Sequence, residues 1–95
     1  MIQLDQHSMA SGSNKRQKTE RDCPYIIEIA IPKGGLDVRL NREMAAFHRL
    51  HNIQSRFGRI RTQKGQRYGR WCFSEPTIAD AFCERFGGAL VTNTS

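Results

Sequence analysis

The chain has 95 residues, of which 38% are hydrophobic and 25% charged, and its formal net charge is +6 at pH 7. This length supports one hydrophobic core, and the composition is that of a globular domain. Residues 1–22 have a charge balance of +1 and residues 23–95 one of +5, so the excess positive charge belongs to the second part.

The first segment, residues 1–22, is rich in polar and charged residues and has few apolar ones. Ordering it would lose chain entropy without compensating burial. We therefore expect a disordered polar tail over residues 1–22 and a single α+β domain over residues 23–95.

The cellular location is also suggested by the sequence. Asp5 stands where a signal peptide has positive charge, and no apolar run of signal-peptide or membrane-spanning length follows. Three cysteines without a CxxC pair favour a reducing compartment. We expect a cytoplasmic protein that does not contact a membrane.

The apolar spacing predicts six elements after residue 22. A strand runs from Tyr25 to Ile31, where apolar residues alternate. A helix capped by Asp37 or Asn41 follows, then two strands around "KGQ", a helix that begins near Pro76, and a short strand "ALVT". The predicted core residues are Ile27, Ile29, Ile31, Leu40, Met44, Phe47, Trp71, Phe73, Ile78, Phe82, Phe86 and Leu90.

This order of elements predicts a ferredoxin-like βαββαβ sandwich, with a four-stranded antiparallel sheet and two helices on one face. The first and third strands would be central neighbours, and the second and fourth would be edges. Period-two alternation then places Trp71 and Phe73 under the helices, with Tyr68 and Arg70 on an open face.

Positive charge is concentrated in the middle of the chain, since no acidic residue lies between Glu43 and Glu75. A region of one charge sign attracts polyanions. A need for solubility or for protection of a sheet edge explains the same concentration of positive charge equally well. Our candidate nucleic-acid-binding residues are Arg56, Arg59, Arg61, Lys64, Arg67, Tyr68 and Arg70.

The stretch "RYGRWCF" partly resembles the aromatic signature of RNA-recognition motifs, with Tyr68 at the first stacking position and Phe73 at the last aromatic place. It departs from that signature at Arg67 and Arg70, and Glu28 replaces the exposed aromatic of the first strand. An alternative role for Arg70 is a cross-strand ion pair with Glu28.

No residues are arranged as a catalytic, metal or cofactor site. His48 and His51 are three apart without a further ligand at recognisable spacing. We therefore expect a noncatalytic domain without cofactor or metal, which binds nucleic acid nonspecifically through a basic hairpin. The alternative is a protein-interaction or homodimerisation module that uses the open sheet face or an edge strand.

Overall fold

The computed structural model describes residues 15–92, which form three α-helices and four β-strands. The elements in chain order are α1 (residues 15–22), β1 (Tyr25–Ile31), α2 (Val38–Leu50), β2 (Arg61–Gln63), β3 (Gln66–Phe73), α3 (Pro76–Phe86) and β4 (Ala89–Thr92). The predicted α+β class is therefore confirmed.

All four strands form one antiparallel sheet in the order β2-β3-β1-β4, so β3 and β1 are central. In the register of the central pair, Ile27 lies opposite Trp71 and Glu28 lies opposite Arg70. The ferredoxin-like assignment stays a prediction, because α1 adds a third helix on the face that the predicted sandwich leaves open.

The main core lies between the sheet and the helices α2 and α3. Its buried members are Ile27, Met44, Phe47, Trp71, Phe73, Ala79 and Phe82. Since Trp71 is 6% exposed and Phe73 is 2% exposed, the predicted parity of β3 is confirmed. Ile29, Leu40, Ile78 and Phe86 are partly buried against this core.

Two apolar residues that the sequence places against the core are exposed instead. Leu50, whose spacing from Leu40, Met44 and Phe47 predicts a core-facing position on α2, is 78% exposed. His48 takes the buried position on α2, and its ring stacks on Phe73 at a centroid distance of 5.5 Å. Leu90 is 50% exposed because it lies on the edge strand β4, outside the main core.

Helix α1 covers part of the opposite sheet face. Cys23, Ile26 and Cys72 form a second buried cluster there, with Val91 packed against it. Residues 15–22, which the sequence predicts to be part of a disordered tail, form α1 in the structure, and residues 1–14 lie outside the described part of the chain. The expected openness of this face is wrong around Ile26 and Cys72, because α1 shields them from solvent.

The β2–β3 hairpin turns at Lys64 and Gly65, whose φ angles are 52° and 80°. Two consecutive residues with positive φ are typical of a type I′ turn, which matches the twist of the flanking strands. Gly65 adopts its positive φ without the steric cost that a side chain would add. None of the helices within residues 15–92 has the length and hydropathy needed to cross a bilayer.

Candidate nucleic-acid interface

A row of five charged side chains with alternating sign crosses the sheet face next to α1. In spatial order its members are Arg59, Glu20, Arg70, Glu28 and Arg61. They come from α1, from the segment before β2, and from the strands β3, β1 and β2. We call this arrangement the charge row. Its two carboxylates offset two of its three guanidinium charges.

Glu20 joins α1 to the sheet and is only 1% exposed. One of its oxygens, Oε2, accepts a hydrogen bond from the backbone N–H of Arg59 at 2.6 Å, while Oε1 accepts from the guanidinium groups of Arg59 at 2.9 Å and Arg70 at 3.1 Å. Gly58 permits this approach, because a Cβ at that position would lie 2.5 Å from Oε2.

The surroundings of Glu20 favour its ionised form. Burial raises the pKa of Glu20, but the hydrogen bonds from Arg59 and the charges of Arg70 and Arg59 together lower it below its usual value. At neutral pH the charge row therefore contains a buried carboxylate that holds two arginines.

Glu28 binds the other half of the charge row. Arg61 donates to it from both Nε and Nη2, at 3.1 and 2.8 Å, and Arg70 donates from Nε at 3.0 Å. The cross-strand pair of Glu28 and Arg70 is thus confirmed. The hydrogen bonds from Arg61 lower the pKa of Glu28 most, burial opposes them, and Arg70 lowers the pKa further.

One face of the Tyr68 ring is covered by an arginine. The guanidinium carbon of Arg61 lies 4.3 Å from the centroid of the Tyr68 ring, which is a cation–π distance. Arg61 is fixed there by Glu28. A base would have to displace Arg61 to stack on this side of the ring.

Arg56 lies apart from the other candidates. Its backbone carbonyl accepts a hydrogen bond from the N–H of Cys72 at 2.9 Å, so it lies near the end of β3 that is remote from the hairpin turn. Its side chain is exposed and lines a cavity together with Glu75.

The tip of the hairpin carries the two remaining candidates, Lys64 and Arg67. Both are exposed, and neither forms an ion pair with any residue of 15–92. Arg67 lies opposite Ile31 and shares a cavity of about 280 Å³ with Lys33, from the loop after β1. We call Lys33, Lys64 and Arg67 the tip cations.

Sequence reasoning missed two charged residues of this region: Glu20 of the charge row and Lys33 of the tip cations. The sequence predicts a disordered tail around Glu20, and the partners of Glu20 lie 39 and 50 positions away. Lys33 lies in a turn between two elements, where a single charge gives no pattern. The predicted sheet pairs the end of β1 with the beginning of β3. This pairing already places Lys33, which follows β1, close to Arg67.

The histidines and cysteines form no metal site in the described residues. His48 is 3% exposed, and its Nδ1 donates to the carbonyl of Met44 at 2.8 Å. Cys23 and Cys72 are buried free thiols. Burial, with a contribution from the charge of Glu20, raises the pKa of Cys72 to about 12, so this thiol is a poor nucleophile.

Comparison of the chain with protein-family models, curated proteins and solved structures gives no match.

Proposed function

We propose that the protein is a noncatalytic domain that binds nucleic acid nonspecifically through the tip cations. The observation that carries the proposal is the contrast between paired and unpaired positive charge. Arg59, Arg61 and Arg70 are held by carboxylates, whereas the three tip cations are exposed and lack ion pairs within the described chain.

The geometry supports backbone contact in preference to base reading. Lysine and arginine side chains neutralise phosphates whatever the sequence. Stacking of bases needs free aromatic faces, and Arg61 covers one face of Tyr68. Arg56 is also exposed and without an ion pair in the described chain, but it lies near the end of β3 that is remote from the hairpin turn. The proposal therefore narrows the seven candidates to Lys64 and Arg67, and it adds Lys33.

A salt titration with single-stranded DNA, single-stranded RNA and duplex DNA tests this proposal. Three phosphate contacts predict a slope of log K against log salt of about −3 or shallower on duplex. Binding should be similar for unrelated sequences of the same length. Absence of binding to all three polymers at low salt contradicts the proposal.

Charge-reversal variants locate the surface. The Lys64→Glu/Arg67→Glu double variant should lose nearly all affinity and should reduce the salt slope by about 2. The matched control is Arg42→Glu/Arg49→Glu, which changes the net charge equally at two exposed positions of α2. An equal loss in both variants would show that only net charge matters, and it would contradict a site at the tip.

Self-association through β4 is the second candidate function. This strand pairs only with β1 within the described chain, and its Leu90 is half-exposed. An exposed apolar edge strand favours pairing with another strand. Light scattering over a hundredfold concentration range tests it: a dimer that Leu90→Lys dissociates supports edge pairing, and a concentration-independent monomer rejects it.

Two broader assignments also remain proposals. The βαββαβ order of the elements from β1 to β4 supports a ferredoxin-like unit to which α1 is added. The cysteine pattern of the sequence supports a cytoplasmic location.

A further inference from the structure

A second concave surface lies between the loop before α2, the segment before β2, and β3. It is a cavity of about 350 Å³, with Leu36, Phe57, Ile60 and Trp71 among its apolar lining residues. The rings of Phe57 and Trp71 meet edge to face at a centroid distance of 6.0 Å. This volume is at the lower end of the range of small-molecule sites, which is about 300–1,000 Å³.

The rim of this cavity keeps apolar surface in contact with water. Phe57 is 49% exposed and Ile60 is 45% exposed. Large apolar side chains that converge on a concave surface mark ligand sites more often than scattered exposed ones do. An apolar body that fills the cavity would remove this surface from water, which is favourable.

The polar lining of the cavity indicates the charge of the ligand. Arg16 on α1 is exposed and donates one hydrogen bond, at 3.3 Å, to the carbonyl of Gly58. Its guanidinium group has further donors, and it forms no ion pair within residues 15–92. Asn41 adds an amide, and no acidic residue is part of the lining.

We propose that this cavity binds a small monocarboxylate with an aromatic or branched aliphatic body. The body packs against Leu36, Phe57 and Trp71, and the carboxylate accepts hydrogen bonds from Arg16. Arg70 also lines the cavity, but Glu20 and Glu28 hold its guanidinium group. A single guanidinium group without an ion pair in residues 15–92, on a mainly apolar cavity, suits one carboxylate better than a polyanion. The tip cations do not line this cavity, so this proposal is independent of nucleic-acid binding.

Trp71 is the single tryptophan of the chain, so its fluorescence reports directly on the cavity. The probes are phenylacetate, the neutral phenylacetamide, and acetate, which has the charge without the ring. We expect a saturable change with phenylacetate, binding of phenylacetamide about tenfold weaker or more, and no change with acetate. No saturable change with phenylacetate, or equal affinity for phenylacetate and phenylacetamide, overturns the proposal.

Variants on α1 test the role of Arg16. Arg16→Ala should weaken the binding of phenylacetate about tenfold and should leave the affinity for phenylacetamide unchanged. Arg21→Ala is the matched control, because it removes the same charge from another exposed position of α1. Melting temperatures of both variants check that α1 stays folded. An equal loss of phenylacetate affinity in both variants would show a general charge effect and would overturn the assignment of Arg16.

Discussion

The two faces of the sheet are buried by different means. Helices α2 and α3 cover one face with a continuous apolar cluster in which Phe82 is fully buried. Helix α1 covers part of the other face with the small cluster of Cys23, Ile26 and Cys72, together with the charge row. The stability of the packing on the first face depends on buried apolar area. On the second face it depends also on each buried charge keeping its ion-pair partner.

The largest effect should come from breaking the apolar face. Five other rings lie with centroids 4.7–5.9 Å from the ring of Phe82. Phe82→Ala leaves a cavity among them and should lower the free energy of unfolding by about 3–5 kcal/mol, measured by urea denaturation. Leu50→Ala, at a residue that is 78% exposed, should cost less than about 0.5 kcal/mol. A similar loss in both would contradict the assigned core.

Removal of the buried carboxylate should be the next largest effect. Glu20→Ala leaves Arg70, whose side chain is 15% exposed, with Glu28 as its remaining carboxylate partner in the charge row. We expect a loss of about 1–3 kcal/mol. Hydrogen exchange should show faster exchange in α1 while β1 and β3 stay protected. Unchanged exchange in α1 would contradict its attachment through Glu20.

Gly58→Ala tests the same contact by steric means. The added Cβ would displace the Glu20 side chain, and we expect a loss of about 1 kcal/mol. In a Glu20→Ala background the same substitution should be nearly neutral, because the group that it displaces is absent. A double-mutant cycle measured by urea denaturation gives this coupling, and additive losses would contradict direct contact.

The pH dependence should be the smallest of these effects. Because the pKa values of Glu20 and Glu28 are lowered by folding, the unfolded chain binds more protons in acid. The stabilisation is complete above the unfolded value of 4.5 and is lost as the pH falls through the lower folded values. Urea denaturation from pH 7 to pH 3 should show this decline, and Glu20→Gln/Glu28→Gln should make it shallower. If the unfolding free energy of this variant falls with pH as steeply as that of the unaltered protein, the attribution to Glu20 and Glu28 is contradicted.

The difference between the faces also explains what the sequence predicts. Alternation in β1 and β3 and helical spacing in α3 arise from local contact with one apolar layer. They were sufficient to place Trp71, Phe73 and Phe82 in the core. The sequence favours a surface position for His48 on its helix, and its burial could not be predicted because the rings of Phe73 and Phe82 that pack against it come from distant parts of the chain.

Only part of the charge row could be predicted from the sequence. The register of two adjacent strands predicted the pair of Glu28 and Arg70. The contacts of Glu20 require a helix to fold back over the sheet, and no periodic pattern in a polar segment signals that. The interval without acidic residues predicts a uniform positive field, but carboxylates from α1 and β1 form ion pairs with its arginines.

The contacts of α1 have a practical consequence for any shortened version of the protein. A chain cut at Cys23, where the apolar pattern begins, would lose the lid over Ile26 and Cys72 and the anion between Arg59 and Arg70. Its newly exposed surface would be apolar, would carry the thiols of Cys23 and Cys72, and would lack the negative charge of Glu20 between Arg59 and Arg70. Such a fragment would adhere to acidic polymers for reasons that the intact molecule does not share.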